Sequence, residues 1–303
     1  MEILPYDPDM AAGIARCYND LVAPVPHCPP VPAVAFSDLA TLGSAATHDD
    51  AMLVAREPSG ALVGFAHVAL DANANDTGLI RFLAYPATQR LVGQALLEAA
   101  DNWERGRGRT KVAVGRNSCM YPFYHLPYAR LSERIAHVHA LLGIAGYGVE
   151  WSENFLEWRD FDPPAAAAPT ADITIAVEWH SKPPSFLEPA RVQPGVVVRA
   201  LRDGEQVGVC ITTHLPREYR EQEISEWCYC HELEVEQHMR GRGLGKLLLL
   251  TSLAEMREAG CKHAALAVAW NNHLAALLYT TLGFRFLDRT ASYAKQATTQ
   301  ETA

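Results

Sequence analysis

The chain has 303 residues and a formal net charge of −9, with 49% hydrophobic and 20% charged residues. This length and composition allow two buried cores and exclude general disorder, while the acidic balance argues against a general nucleic-acid binder, which needs clustered Lys and Arg. No segment is long and apolar enough to span a membrane and the N-terminus lacks a secretory pattern, so we expect a cytoplasmic protein without nucleic-acid or membrane partners.

The cysteines and the basic residues say little about function. Seven Cys, an odd number in a chain of this length, do not resemble a disulfide framework. Cys228, Cys230 and His231 lie close together, but on a strand the two thiols share one face and the imidazole points to the other. We therefore predict no metal site. The excess of Arg over Lys is typical of a GC-rich bacterial genome.

A segment rich in Pro and Ala, residues 163–170, predicts a linker. It separates a first domain, residues 1–162, from a second domain, residues 171–303. Each half has the same order of predicted elements, several strands with one helix between them, and this repetition indicates an internal duplication.

In the first half, Asp9 is predicted to cap a helix that ends at Val22. The elements that follow are strands over 51–56, 61–70 and 78–85, a helix over 89–105 and a strand over 110–114. A helix after Asn117 is predicted to be broken at Pro122, and residues 132–144 offer a later helix.

In the second half, hydrophobic alternation and helical spacing predict elements in the same order. These are strands over 195–200, 207–212 and 227–236, a helix over 243–259, a strand over 263–269, a helix over 272–282, and a last strand after Gly283. Gly260 is placed to end the first of these helices.

A glycine-dense turn joins a strand to a helix in the second half. Residues 240–246 read Arg-Gly-Arg-Gly-Leu-Gly-Lys. The first turn of a helix offers unpaired backbone N–H groups and the positive end of the helix dipole, and glycines allow a ligand close to the backbone. The turn therefore predicts an anion site suited to a pyrophosphate, and its three basic side chains add positive charge.

The spacing of Arg240, Gly243 and Gly245 fits Arg/Gln-x-x-Gly-x-Gly/Ala. This is the acyl-CoA pyrophosphate loop of the GNAT acyltransferase superfamily, which residues 172–296 resemble. The fold that the resemblance implies is α+β, with two GNAT-like domains, each a mostly antiparallel twisted sheet flanked by helices.

A second motif supports the resemblance. Asn272, Ala275 and Tyr279 precede Gly283-Phe284, as in the superfamily segment beside the acyl-CoA. The resemblance implies that Asn272 contacts the cofactor arm and that Tyr279 protonates the departing thiolate. It further implies acetyl-CoA as co-substrate, with these cofactor-binding residues: Leu233, Val235, Arg240, Gly241, Arg242, Gly243, Leu244, Gly245, Lys246, Asn272 and Ala275.

Acyl transfer to an amine also needs a hydrogen-bond donor for the thioester carbonyl and a base for the protonated amine. The resemblance implies that strand 233–235 splays from its neighbour and that the backbone N–H of Val235 lies near the carbonyl. The candidate bases are Glu223, Glu226, Glu232, Glu234 and Glu236, with His231 among them. Strand alternation places Glu232, Glu234 and Glu236 on one face and His231, Leu233 and Val235 on the other, unless a bulge intervenes. Glu232 and Glu234 are our choices for base or substrate contact.

The first half carries a fainter version of these motifs. Arg90, Gly93 and Ala95 fit Arg-x-x-Gly-x-Ala, and Asn117 and Tyr124 repeat the seven-residue spacing with a proline between them. We therefore predict a degenerate, scaffolding copy.

The leading hypothesis is an N-acetyltransferase that moves an acetyl group to a primary amine of a small molecule or peptide by direct attack. One alternative is a catalytically silent acyl-CoA sensor. Another is a tandem transferase acting on a thiol conjugate or a cell-wall precursor. Loop 216–226 is expected to help form the acceptor pocket, and the paired domains favour a monomer.

Overall fold

The chain divides into two units whose bounds differ from the predicted domains. In the computed structural model, unit 1 comprises Met1–Glu153 and the chain from Asp288 onward, and unit 2 comprises Asn154–Leu287. Residues 1–296 are described, except 38–41, 43, 45, 167–168, 183–192, 216–221 and the side chains of residues 222–223. Within these ranges no helix is long and apolar enough to cross a membrane.

Unit 1 begins the chain and alternates strands with helices. Its elements are β1 (Glu2–Pro5), α1 (Ala11–Val22), β2 (Thr47–Arg56), β3 (Leu62–Asp71), β4 (Thr77–Ala84), α2 (Arg90–Arg105), β5 (Lys111–Val114), β6 (Leu131–Ser132), α3 (Ala136–Ile144) and the first part of β7 (Gly148–Trp158).

Unit 2 repeats the central part of this order. Its elements are the second part of β7, then β8 (Thr174–His180), β9 (Gly195–Arg202), β10 (Glu205–His214), β11 (Trp227–Val235), α4 (Leu244–Glu258), β12 (His263–Ala269), α5 (His273–Leu282) and the first residues of β13 (Arg285–Gln296). The predicted helices and strands of this half are confirmed to within two residues at their ends.

The last strand explains why the predicted domain bounds differ from the units. β13 pairs antiparallel with β5, with Tyr293 opposite Val114, and with β6, with Thr290 opposite Ser132. Asp288 secures it, because its buried carboxylate accepts from Ser132 Oγ at 2.5 Å and lies 3.1 Å from His125 Nε2. The end of the chain therefore belongs to the N-terminal unit.

Two predicted helix starts in unit 1 are corrected. A 3-10 turn at Pro8–Met10 precedes α1, and its cap is Asp7, whose Oδ1 accepts from the Asp9 N–H at 3.0 Å. Pro8 decides this, because it favours an extended residue before it and a helical φ at its own position. After Asn117 only a short 3-10 turn forms, in agreement with the predicted break, and α3 begins at Ala136 rather than at residue 132.

Each unit contains one mostly antiparallel sheet. The order in unit 1 is β1-β2-β3-β4-β5-β13, and in unit 2 it is β12-β11-β10-β9-β8. β4–β5 and β11–β12 are parallel pairs, as expected for strands joined through a helix. In unit 2, α4 and α5 contribute Leu248, Leu253 and Tyr279 to a core that also contains Cys228 and Cys230 of β11.

The same irregularity occurs in both units. The register between β10 and β11 shifts between Ile211, which faces Glu232, and Thr212, which faces Cys230, so His231 is an extra residue. The register between β3 and β4 shifts in the same way, and there Arg81 is the extra residue. Matching bulges on matching strands support the predicted internal duplication.

Candidate functional site

In unit 2, β11 separates from its parallel neighbour halfway along its length. The two strands pair from Trp227 opposite His263 to Cys230 opposite Leu266, and no further pair follows among the described residues. β11 nevertheless continues to Val235, held on its other side by β10. The predicted splay is therefore present, and it begins at the bulge residue.

The splay exposes backbone N–H groups of β11, and the pairing with β10 fixes the direction in which they point. The Glu236 N–H donates to Val207 O of β10 at 2.9 Å. Along an antiparallel strand these groups alternate between the two edges. Consequently the N–H groups of Leu233 and Val235 point away from β10, toward the opening, while both side chains pack on the core.

The turn after β11 leads to the N-terminus of α4. Gly241 and Gly243 have φ values of 78° and 79°, a left-handed conformation that favours glycine, and a Cβ at either position would meet only open space. Gly243 is the N-cap and has no side chain to bind the first turn. Its carbonyl accepts from Leu247, so the amides of residues 243–246 have no partner among the described residues.

Three basic side chains surround this turn, and all are exposed. Arg240 folds back, because its Nε donates to Val235 O at 2.9 Å. Arg242 and Lys246 form no ion pair with any described residue. The turn therefore combines free amides, positive charge and the positive end of the α4 dipole, which together suit a diphosphate.

The second motif flanks the same opening. Asn272 is the N-cap of α5, and its Oδ1 accepts from the Ala275 N–H at 3.2 Å. The Asn272 amide group therefore orders the helix, and only its Nδ2 is left to contact a ligand. This structural role was not predicted from the sequence.

Tyr279 is 6% exposed within the core of unit 2. Its ring packs against Phe284, and its hydroxyl makes no hydrogen bond in the described part of the chain. Burial, with the thiols of Cys230 and Cys210 nearby, raises the pKa of Tyr279 well above its ordinary value. The phenol is therefore a protonated donor at physiological pH.

Glu232 and Glu234 lie on β11 beyond the bulge, on the face opposite Leu233 and Val235. Glu232 is half-buried and Glu234 is exposed. Burial and the neighbouring charge of Glu234 raise the pKa of Glu232. Of the two, Glu232 thus holds its proton more tightly than an ordinary Glu and is the stronger candidate base.

His231 does not lie with Leu233 and Val235, and this prediction is wrong. Its Nε2 is 2.6 Å from Thr213 Oγ1 and its ring contacts Tyr229. Because the bulge shifts the alternation by one residue, Leu233 and Val235 join Cys228 and Cys230 in the core while His231 faces the other side. Burial lowers the pKa of His231 to about 3, which keeps it neutral.

The other candidate bases lie elsewhere. Glu226 binds Lys262 at 2.5 Å, at the paired end of β11. Glu236 precedes the 3-10 turn that leads into the glycine loop. The side chain of Glu223 and most of the predicted acceptor loop, residues 216–221, lie outside the described residues.

Cys210 is a site neighbour that the sequence analysis did not select. Its Sγ lies 3.7 Å from Cys230 Sγ, and both thiols influence Tyr279. The residues are 20 positions apart and meet only because β10 pairs with β11, so no local pattern could have found them.

In unit 1 an aromatic ring packs against the first turn of the corresponding helix. Gly93 lies inside the first turn of α2 rather than before the helix, so its match to the loop motif does not form a loop. A Cβ at Gly93 would lie 2.5 Å from the Tyr85 ring, which occupies that position. The strand positions equivalent to Glu232 and Glu234 are Phe82 and Ala84.

Comparison with known proteins agrees with this geometry. Residues 152–284 match the model of the acetyltransferase (GNAT) family. No curated protein matches the chain in sequence.

Solved structures share the fold over both units. A tandem GNAT protein from the clavulanic acid biosynthesis pathway is 19% identical with a TM-score of 0.66 and 99% of each chain covered. A GCN5-related N-acetyltransferase from Sphaerobacter thermophilus is 18% identical with a TM-score of 0.64, over 98% of this chain and 96% of that one. A glucosamine N-acetyltransferase region of a fungal multi-domain β-N-acetylglucosaminidase is 17% identical with a TM-score of 0.65, over 97% of this chain and 38% of that one.

Proposed function

Residues 152–284 belong to the GNAT acetyltransferase family, and from this premise we propose that unit 2 transfers an acetyl group from acetyl-CoA to a primary amine of a small molecule or peptide. The observation that carries the proposal is the continuous path from the splay after Cys230 to the uncapped first turn of α4. That path offers edge amides for an extended arm and terminal amides for a diphosphate.

The residues present fit this coenzyme. Open space beside Gly241 and Gly243 leaves room for phosphate oxygens against the backbone. Arg240, Arg242 and Lys246 supply counter-charge, and the N–H groups of Leu233 and Val235 face the opening. When bound, the coenzyme supplies an acyl group activated as a thioester.

Chain groups then assist a direct attack by the amine. The Val235 N–H is placed to donate to the acyl carbonyl oxygen and so to stabilise negative charge there. An aliphatic amine has a pKa of about 10 and is mostly protonated at neutral pH, so a base must remove a proton. Glu232 is our candidate base, directly or through water, and Glu234 adds negative charge that favours a cationic acceptor.

Tyr279 is our candidate general acid. Its raised pKa keeps the phenol protonated, and its hydroxyl has no competing partner among the described residues. A buried, unpaired O–H can donate to the sulfur as the acyl–sulfur bond breaks.

We further propose that unit 1 is not catalytic. Tyr85 packs against Gly93 inside α2, the crossing before α2 has no glycine, and Phe82 and Ala84 stand where unit 2 has its two carboxylates. This supports the prediction of a degenerate copy.

The proposal is tested with the full chain, acetyl-CoA and a panel of primary amines, by following thiol release. We expect turnover with at least one amine and about a 10- to 100-fold lower kcat in Tyr279→Phe with an unchanged coenzyme Kd. Binding of acetyl-CoA without turnover on any amine would favour a sensor instead.

A further inference from the structure

A cleft in unit 1 lies beside the turn that leads into α2. Its walls come from α1, the start of β3, the turn after β4 and the start of α3. Tyr85 and His137 brace one another across it. Tyr85 Oη donates to His137 O at 2.8 Å, and His137 Nε2 lies 3.0 Å from Tyr85 O. Tyr85, whose ring packs against the first turn of α2, thus also forms a fixed wall of this cleft.

The cleft carries charges of both signs. Arg16 and Asp20 lie one helical turn apart on α1, and both are exposed. That spacing allows an ion pair, but neither residue forms one with any described residue. Arg134 lines the cleft as well, with 54% of its side chain exposed and its Nε 3.9 Å from the Asp288 carboxylate. Two arginines and one aspartate therefore line the same cleft.

The remaining surface is apolar. Leu21, Leu62, Val63 and Pro86 contribute carbon to the lining. The Cys17 thiol, also in the lining, is held by a contact of 3.6 Å to Leu62 O, and burial raises its pKa to about 11. The thiol is thus protonated and unreactive, so the surface is suited to binding rather than to covalent chemistry.

We propose that this cleft binds a free α-amino acid with an apolar side chain. The ligand carboxylate would pair with Arg16 and Arg134, its ammonium group with Asp20, and its side chain would cover Leu62 and its apolar neighbours. A simple anion would leave Asp20 without a partner, and a diphosphate is disfavoured by the Asp20 carboxylate and by Tyr85. This site lies in unit 1 and goes beyond the function proposed for unit 2.

The test is isothermal titration of the full chain with L-leucine and L-phenylalanine. N-acetyl-L-leucine, which lacks the ammonium group, and L-leucinamide, which lacks the carboxylate, are the matched probes. We expect saturable binding of the amino acids and about 10- to 100-fold weaker binding of each single-charge probe, since each loses a charge-assisted hydrogen bond.

Variants locate the site. Arg16→Gln and Asp20→Asn should each weaken leucine binding about 10- to 100-fold, and Ala87→Trp should abolish it by filling the cleft. Arg90→Gln and Glu98→Gln, exposed on α2, are the controls and should bind as the wild type does. Thermal melting shows that each variant is folded. Absence of binding at millimolar amino acid, or binding unaffected by the three cleft variants, overturns the proposal. A parallel titration with coenzyme A distinguishes failure of this amino-acid proposal from failure of the function proposed for unit 2.

Discussion

After β4 and after β11 the chain passes from a strand into a helix, and the two crossings differ in length and content. The first uses five residues, Tyr85–Gln89, and has no glycine, while the second uses eight, Glu236–Gly243, and has two. Neither helix has a side-chain cap, but the Tyr85 ring packs against Gly93 in the first turn of α2, whereas the space beside Gly241 and Gly243 before α4 is open. The two units thus keep the same strand–helix order while only the second has a glycine turn open to a ligand.

The bulge residues of the two units, Arg81 and His231, also differ in their contacts. Arg81 is fully buried; its Nε donates to Cys119 O at 2.8 Å, and its other nitrogens bind Asp50 and Leu42 O. His231 is neutral, and its neighbours include Thr213 and Tyr229 of its own sheet. Parallel pairing ends directly before the bulge residue in both units, at Ile80 and at Cys230. The units therefore differ in what the bulge residue binds, a buried carboxylate in unit 1 and a threonine hydroxyl in unit 2.

The largest expected effect is in unit 2. Glu232→Gln should lower kcat/KM about 10²–10⁴-fold, the usual contribution of a general base. Because the base acts deprotonated and the pKa of Glu232 is raised, wild-type activity should rise with pH through a range above that of an ordinary Glu.

This rise of activity with pH, the rising limb of the pH–rate profile, should disappear in Glu232→Gln. Measured pH–rate profiles of the wild type and the variant check it. Glu234→Gln, on the same face but exposed, is the control and should retain the limb. Loss of the limb in Glu234→Gln alone would assign the base to Glu234 instead.

The next effect concerns stability in unit 1. Arg81→Met leaves the Asp50 carboxylate without its buried partner and should cost about 3–5 kcal/mol of unfolding free energy. Urea unfolding measures it, with the exposed Arg105→Met as control. Coenzyme affinity of the folded variant should not change. An unfolding free energy within experimental error of the wild type would contradict the structural role given to Arg81.

Two glycine substitutions should change the stability of the protein in opposite directions. Gly93→Ala places a Cβ against the Tyr85 ring and should destabilise the protein by about 1–3 kcal/mol. Gly143→Ala, exposed in α3 with open space around it, should stabilise it by about 0.5–1 kcal/mol. Thermal melts of both variants check this, and equal shifts would refute the contact between Tyr85 and α2.

The last expected effect is a dependence of stability on pH. Burial, opposed by Asp50, lowers the pKa of His67 to about 4, with Arg81 and Tyr121 as its other polar neighbours. The folded state resists protonation that the unfolded chain accepts, so stability is complete above about pH 6.5 and is lost as the pH falls toward 4. We expect a loss of about 3 kcal/mol over that range, because each unit of pKa difference is worth about 1.4 kcal/mol.

His67→Gln should flatten this dependence in melts recorded from pH 7 to pH 4. His273→Gln, which is exposed on α5, should not. A dependence unchanged in His67→Gln would assign the loss to other groups.

Short-range sequence patterns were sufficient to predict much of the structure of unit 2. The glycines at 241 and 243, the amphipathic pattern of α4 and the Gly-Phe after α5 are short-range features, and the structure forms the turn, helices and strands that they predict. The motif in unit 1 misled in detail, because Arg90 and Gly93 fit the pattern while lying inside the helix.

Features that depend on residues far apart in the sequence could not be predicted. β13 belongs to unit 1 because it pairs with β5 and binds Ser132 through Asp288, over 150 residues away. The bulge at His231 is a property of two strands, and it reversed the predicted face of that side chain. Strand pairing decides both the unit to which β13 belongs and the face on which His231 lies. The sequence of one strand does not reveal which strand it pairs with.

The central claim is that unit 2, and not unit 1, binds coenzyme A through the turn before α4. Isothermal titration of the full chain with coenzyme A tests it most directly. We predict one site per chain, retained in Arg90→Gln and lost in Gly243→Val, whose side chain enters the open space and strains a left-handed backbone. Two sites per chain, no binding, or undiminished affinity in Gly243→Val would contradict the account.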